Sequence, residues 1–383
     1  MIKKIFLIIL LFALFLYAQD EALPGTTPPG VIVSHSPIKS KKFIGSPSLV
    51  ILPNGDFLAS HDYFGPGISI AETFIYKSTD KGLTWRLISN IKNQFWSNLF
   101  YHNGSLYIMG TTKEYGYVVI RKSIDGGVTW TTPTDKKNGL ILDDGEYHTA
   151  PVPMVIHNGR IWRSMEDRNP PTDWGKYFRA FVMSVPVDAD LLDATSWEST
   201  NRLSYDQSWP GSAWLEGNVV ITPQNYLWCI LRNHTDEGNR AAIIKVGLTG
   251  KVVTFDPETG FINFPGGSVK FTVRFDELTK RYISLTNYIP QRFSQNNPER
   301  TRNTLALISS DNLVDWPVNK IILEDPSVSN VGFQYVDFQF DGDDIVFLSR
   351  TSYFEKDGLA SSQHDANYLT FHRIENFRLL LAK

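Results

Sequence analysis

The chain is nearly devoid of cysteine: Cys229 is the one thiol among its 383 residues. An internal disulfide framework is thereby excluded. Set in Leu227-Trp228-Cys229-Ile230-Leu231, that thiol reads as a buried strand residue rather than a nucleophile. No His and Cys cluster has the spacing of a transition-metal site. An excess of positive charge is also missing, since 37 Lys and Arg stand against 40 Asp and Glu for a net charge of −3. Without a basic face, nucleic acid is not the expected partner. Long helical periodicities, low-complexity tracts, linkers and shifts of composition are absent too, which argues for one continuous domain. The single long apolar run, residues 5–17, falls short of the roughly 20 residues that a membrane span needs.

That run follows Lys3 and Lys4 and ends before Ala18, the arrangement of a cleavable leader. Residues 1–18 are therefore expected to be a signal peptide and 19–383 the mature domain of a secreted or periplasmic protein. No cysteine follows the cleavage position, so a lipid anchor or other stable membrane anchor is not expected.

What the chain does have is aromatic residues, 13% of the total, and a repeat. Ser78-Thr79-Asp80-Lys81-Gly82-Leu83-Thr84-Trp85 and Ser123-Ile124-Asp125-Gly126-Gly127-Val128-Thr129-Trp130 share the pattern Ser-x-Asp-x-Gly-x-Thr-Trp. Their tryptophans stand about 45 residues apart, a spacing typical of radially repeated β arrays. In such a turn, Ser and Asp accept backbone N–H groups, Gly takes a positive φ, and Trp pins the turn to its sheet. A degraded copy, Ser309-Ser310-Asp311-Asn312-Leu313-Val314-Asp315-Trp316, keeps Ser, Asp and Trp.

Six hairpin signals punctuate the rest of the chain: Pro53-Asn54-Gly55, Asn103-Gly104, Asn158-Gly159, Pro223-Gln224-Asn225, Asp276-Glu277 and Asp341-Gly342. Each is flanked by alternating apolar residues. Six turns at intervals of roughly 50–65 residues imply an all-β, six-bladed β-propeller of four-stranded blades. A seventh blade would need strands hidden in 184–205 and 291–301. The last repeat lacks a fourth strand, which Val31-Ile32-Val33-Ser34-His35 can supply from the other end of the chain.

A propeller binds its ligand at one mouth of the central channel, reached from the start of each first strand and the end of each second. Those positions hold Gly45, Ser48, His61, Asp62, Tyr147, His148, Arg163, Glu166, Glu216, Arg232, His234, Arg302, Gln334, Tyr335, Arg350 and His364.

The repeated turn is the Asp-box, and with it the chain resembles the sialidase (neuraminidase) superfamily of propellers. The segment from Glu216 through Arg232-Asn233 is similar to the sialidase fourth blade without a gap. The resemblance implies that Glu216 partners a nucleophilic Tyr and that Arg232 grips a substrate carboxylate. It places Arg302 as a further carboxylate-binding arginine. In the sixth repeat, a gapless alignment on Asp341-Gly342 puts Phe333 where the Tyr nucleophile belongs, with Tyr335 two residues on along the same face.

One departure stands out. Where sialidases carry Arg-Ile-Pro in blade one, this chain reads Ile44-Gly45-Ser46-Pro47, so that arginine is missing. Asp62 or His61, in Ser60-His61-Asp62-Tyr63-Phe64, is then expected to be the general acid. His148 and Arg163 are expected to converge on the same pocket. These features imply a sialidase-like exo-glycosidase whose substrate and partner is an acidic oligo- or polysaccharide. Two alternatives stay open: a lyase of the kind that cleaves rhamnose from glucuronate, working with His, Tyr and Arg, and a non-catalytic glycan-binding propeller. No cofactor is required by this chemistry, although a Ca²⁺ in the central channel, held by carbonyls and carboxylates, fits the residue types present.

Overall fold

The computed structural model describes residues 27–171, 173–356 and 358–381; the expected leader lies outside them. Six antiparallel sheets follow one another along the chain and form a six-bladed propeller. Blade one pairs Phe43–Ile44 and Ser48–Ile51 with Phe57–Phe64, then adds Glu72–Ser78 and Arg86–Lys92. Blade two runs Phe95–His102, Ser105–Thr111, Val118–Ser123 and Leu140–Leu142. Blade three is the irregular one, its inner position split between Tyr147–His148 and Val155–His157. Blade four is built on Ala213–Ile221 and Leu227–His234, and blade five on Thr272–Asp276 and Arg281–Thr286. Blade six, Gly332–Asp341 with Asp344–Ser352 and Tyr368–Ile374, receives Val31–His35 as its outer strand.

All six expected turns are hairpins. In Asn103-Gly104 and Asn158-Gly159 both residues have positive φ, so the turn twist matches the strands they join. The segments that a seventh blade would need do not supply one. Residues 184–205 supply the outer edge of blade three, Glu198–Ser199 and Leu203–Ser204, while 291–301 hold the two 3₁₀ turns Gln291–Phe293 and Pro298–Arg300.

Alternation along each strand gives a blade two apolar faces, so each blade is sandwiched by its neighbours. Between blades five and six, Ile283, Leu285, Leu305 and Leu307 meet Phe333, Phe338 and Phe347. Each such fully buried side chain contributes on the order of 1.5–3 kcal/mol.

The Ser-x-Asp-x-Gly-x-Thr-Trp turns fasten blade to blade. Asp80 accepts the N–H of Thr84 at 2.9 Å and its hydroxyl at 2.5 Å, and Ser78 Oγ accepts the N–H of Gly82 at 2.8 Å. Gly82 is required there by contact as well as by φ, because a Cβ would lie 2.1 Å from the Phe371 ring of blade six. Trp85 packs on that same ring. In the third copy the structure assigns the work differently from the sequence pattern. Asn312, rather than Asp311, accepts the N–H groups of Val314 and Asp315, both at 2.9 Å, and Leu313 holds the positive φ. The turn is one residue shorter, which moves the acceptor along by one.

Around the channel the inner strands are joined by polar links at every blade boundary. Ser48 Oγ accepts the N–H of Leu99 at 2.9 Å, joining blades one and two. Arg163 donates to Asn98 Oδ1 between two and three. Ser164 donates to Gly217 O at 2.5 Å between three and four, and Val273 N–H donates to Asn218 Oδ1 at 3.0 Å between four and five. Lys270 Nζ and Thr272 Oγ1 donate to Val336 O at 2.8 and 2.6 Å between five and six. Leu49 N–H donates to Asp337 Oδ2 at 2.9 Å, returning from six to one. These groups are buried, so each is satisfied only while its neighbouring blade is in place.

Ring closure by the N-terminal strand is directly testable. Deleting residues 27–35 removes a ladder and the buried Val33, and should lower the melting temperature by on the order of 5–10 °C. Differential scanning calorimetry of the two proteins checks this; coincident transitions would contradict closure by that strand.

Candidate active site

Three of the inner strands break register at the same place. The ladder slips between Phe95 and Asn98, between Leu215 and Asn218, and between Gln334 and Asp337. The first residue of each bulge has positive φ although none is glycine: Trp96 at 46°, Glu216 at 57° and Tyr335 at 53°. A non-glycine residue in this region costs about 1–3 kcal/mol and persists only where its surroundings enforce it. Here the residues that follow are held by the channel links, Gly217 O by Ser164, Val336 O by Lys270, and Asn98, Asn218 and Asp337 across blade boundaries. The bulge turns all three side chains into one chamber at the channel mouth, with a volume of about 600 Å³.

The strand opposite the bulge supplies the chamber's charge. Arg232 pairs in register with Leu215, and Arg350 with Gln334, each the residue just before a bulge. Gly45 N–H bonds the carbonyl of Asp62 at 2.8 Å, so Asp62 occupies the corresponding site in blade one. There the missing arginine finds its physical reason. A Cβ at Gly45 would lie 2.1 Å from Asp62 Oδ1, so this position must be glycine with Asp62 in place.

The sequence-expected residues divide as follows. Glu216, Arg232, Arg302, Tyr335, Asp62 and His148 all line the chamber. His61 does not reach it: neighbours on a strand face opposite ways, and with Asp62 inward, His61 points between strands. Its Nε2 lies 3.0 Å from Ser34 Oγ, and its ring stacks between Phe74 and Tyr76. Burial lowers its pKa to about 4. Arg163 is likewise absent from the chamber, committed to Asn98, Met109 O, Thr149 and Ala150 O. Phe333 is in the core between blades five and six, and Tyr335 holds the bulge position that matches Glu216.

A residue whose role the motifs did not assign completes the set. Arg350 ends the apolar run Ile345-Val346-Phe347-Leu348-Ser349 just as Arg232 ends Leu227-Trp228-Cys229-Ile230-Leu231, and that parallel was readable in the sequence. The Arg350 guanidinium lies between the Phe64 ring at 4.3 Å and the Tyr335 ring at 4.6 Å, and donates to His364 O at 2.6 Å.

Three guanidinium groups thus meet at Tyr335. Arg232 donates to Glu216 Oε2 at 3.0 Å and to Ser268 O at 2.8 Å. Arg302 donates to Glu299 O at 2.8 Å and to Gln334 Oε1. Arg302 and Arg350 are each only 4% exposed, and among the described residues neither has a carboxylate at ion-pair distance. Burial lowers the pKa of Arg302 to about 10 and lowers that of Arg350. Burial also pushes the Glu216 carboxyl up, but Arg232, His148 and hydrogen bonds from Arg232 and Tyr335 outweigh it and hold the group below its ordinary value. Asp62 goes the other way. Its burial raises the pKa to about 6, against hydrogen bonds from the Trp96 N–H, at 2.6 Å, and from Ser46.

Among the described residues no group of three or more His, Cys, Asp or Glu side chains is placed to hold a metal ion.

No family model matches the chain and no curated protein matches it. Solved structures do. The Hadza microbial sialidase Hz136 matches over 90% of this chain and 68% of its own, with a TM-score of 0.62 at 14% identity. A Trypanosoma rangeli sialidase in complex with sialic acid matches over 88% of this chain, with a TM-score of 0.58 at 16% identity, and this chain spans 55% of its length. A Penicillium chrysogenum α-L-arabinanase complexed with arabinobiose covers 91% and 98%, with a TM-score of 0.54 at 15% identity. The chain shares its propeller fold with these glycosidases.

The raised pKa of Asp62 links the site to stability. The folded form binds the Asp62 proton more tightly than the unfolded chain, so its contribution is full below pH 4 and fades as pH rises through about 6. Asp62→Asn should therefore be more stable than the wild type at pH 7 and not at pH 4, as measured by urea denaturation. Equal differences at both pH values would contradict the assignment.

Proposed function

We propose that the protein is a retaining exo-glycosidase of sialidase-like type, exported from the cell, that acts on sugars bearing a carboxylate. The observation that carries this reading is the pair of buried guanidinium groups, Arg302 and Arg350, with no carboxylate partner. Unpaired buried charge is costly, and an anionic ligand held by charge-assisted hydrogen bonds relieves it. Arg232, Arg302 and Arg350 bind the carboxylate, and Tyr335, lying among them, attacks the anomeric carbon. Glu216, which lines the same chamber as Tyr335, accepts its proton. A neutral phenol approaches an anionic sugar without the repulsion that a carboxylate nucleophile would meet. Asp62, protonated below about pH 6, donates to the leaving oxygen.

The test is a panel of methylumbelliferyl glycosides of N-acetylneuraminic acid and glucuronic acid with matched neutral sugars. Arg350→Ala should lose about 1.5–3 kcal/mol of transition-state binding, a roughly 10- to 150-fold fall in kcat/KM, on the carboxylate-bearing substrate the wild type cleaves. Tyr335→Phe should abolish turnover while binding is kept. Equal loss on neutral sugars would remove the carboxylate from the account. An unsaturated product absorbing in the near ultraviolet would mark a lyase, and retention of glycan without turnover would mark a binding protein.

A further inference from the structure

His148 has no part in the proton transfers just written. Asp62, having protonated the leaving oxygen, is the group left to take the proton of the incoming water, so neither half of the reaction needs an imidazole. Yet the ring is tightly held. His148 stands directly across the ladder from Glu166 in blade three, and its Nδ1 lies 2.9 Å from Glu166 Oε2. The Glu166 side chain is wholly buried and that of His148 is 5% exposed. Trp96 and Phe178 clasp the imidazole, at 4.5 and 4.7 Å between centroids. A carboxylate on one imidazole nitrogen fixes the ring and its tautomer. With Nδ1–H given to Glu166, Nε2 of the neutral ring is a bare acceptor. That nitrogen makes no hydrogen bond among the described residues, and His148 lines the chamber that holds Tyr335.

The order of the blades says which part of a sugar this acceptor meets. The polar links run from each blade to the next and from six back to one, so blade three stands opposite blade six. Blade six carries Tyr335 and Arg350, and Asp62 lies beside them on blade one. Arg232 and Arg302 come from blades four and five. The anomeric carbon, its leaving oxygen and the carboxylate are therefore held from blades one, four, five and six. A single pyranose seated that way in a chamber of about 600 Å³ turns the ring carbon opposite its anomeric carbon toward blade three. That carbon is C4 of a glucuronide and C5 of an N-acetylneuraminide.

Resting on the glycosidase reading above, we propose that His148, held by Glu166, is a specificity residue that accepts a hydrogen bond from the hydroxyl or amide N–H on the ring carbon opposite the anomeric centre. The substrate class is thereby narrowed to acidic pyranoses that carry a free donor at that carbon. A sugar substituted on that oxygen has no proton to offer Nε2, so the contact also confines cleavage to the chain end. Glu166 is a positioning residue, acting through the imidazole.

The test compares the methylumbelliferyl glycoside that the wild type cleaves with an analogue bearing hydrogen in place of that substituent. The wild type should favour the intact substrate by roughly 5- to 150-fold in kcat/KM, the cost of leaving a buried acceptor unpaired. In His148→Ala the ratio should fall to near unity, and Glu166→Gln should keep only part of it. Turnover of the deoxy substrate shows that a variant is folded. Where a variant is too slow to follow, titration calorimetry gives the same ratio from the dissociation constants of the two free sugars. A merely structural role would slow both substrates in parallel and leave the ratio at its wild-type value. If the ratio survives in His148→Ala, or the wild type shows no preference, the inference is overturned; the glycosidase reading stands so long as Tyr335→Phe is inactive. A wild type that neither cleaves nor binds an acidic probe overturns the two together.

Discussion

The closed belt of polar links around the channel is the constraint from which the site follows. A sheet on its own has no reason to hold Glu216 or Tyr335 at positive φ. Each bulge is followed by a residue whose carbonyl or side chain is bonded to the next blade, and those partners are buried. The links are satisfied together or not at all, because the ring must close for any blade to meet both neighbours. Closure thus does more than remove exposed sheet edges. It fixes the register at which three inner strands bulge, and so decides which side chains look into the chamber.

From that register the chemistry divides by blade. In blades four and six, the position opposite the residue before the bulge carries arginine; in blade one it carries Asp62. The same backbone device thereby delivers two cations and one acid to a common mouth. Blade five adds Arg302 from the loop before its third strand, and blade three adds His148. Strain at the bulges, burial of unpaired guanidinium groups and burial of the Asp62 carboxylate all run against stability. The interdigitated aromatic and aliphatic layers between blades, and the tryptophan-ended turns latching one blade onto the next, offset them.

How much of this was legible in the sequence depended on whether local spacing carried the information. The hairpin turns and the repeated tryptophan-ended turns are local, and they led to six blades and to ring closure by Val31–His35. Glu216 and Arg232 were legible because blade four runs strand, turn and strand without interruption, and Arg232 closes an apolar pattern. Tyr335 was harder. The hairpin of blade four leaves 222–226 between paired residues, whereas Asp341 and Asp344 of blade six pair across two residues, so counting back from the turn lands on Phe333. The choice between His61 and Asp62 needed the phase of the strand, which adjacent polar residues do not reveal. Arg163 ends an apolar pattern as a mouth residue would, but its partners lie on another blade. Arg350 ends an apolar strand as Arg232 does, but no motif beside it marks a role, and its chamber neighbours Phe64 and Tyr335 lie on strands that only ring closure brings together.

The phenolic oxygen of Tyr335 is the atom proposed to meet the sugar, and peptide mapping by mass spectrometry tests this most directly. A fluorinated acidic glycosyl fluoride, which forms a covalent intermediate faster than it is released, should leave its sugar on the peptide containing Tyr335, and Tyr335→Phe should remain unlabelled. A sugar found instead on Glu216 or Asp62, or labelling that persists in the Phe variant, would contradict it.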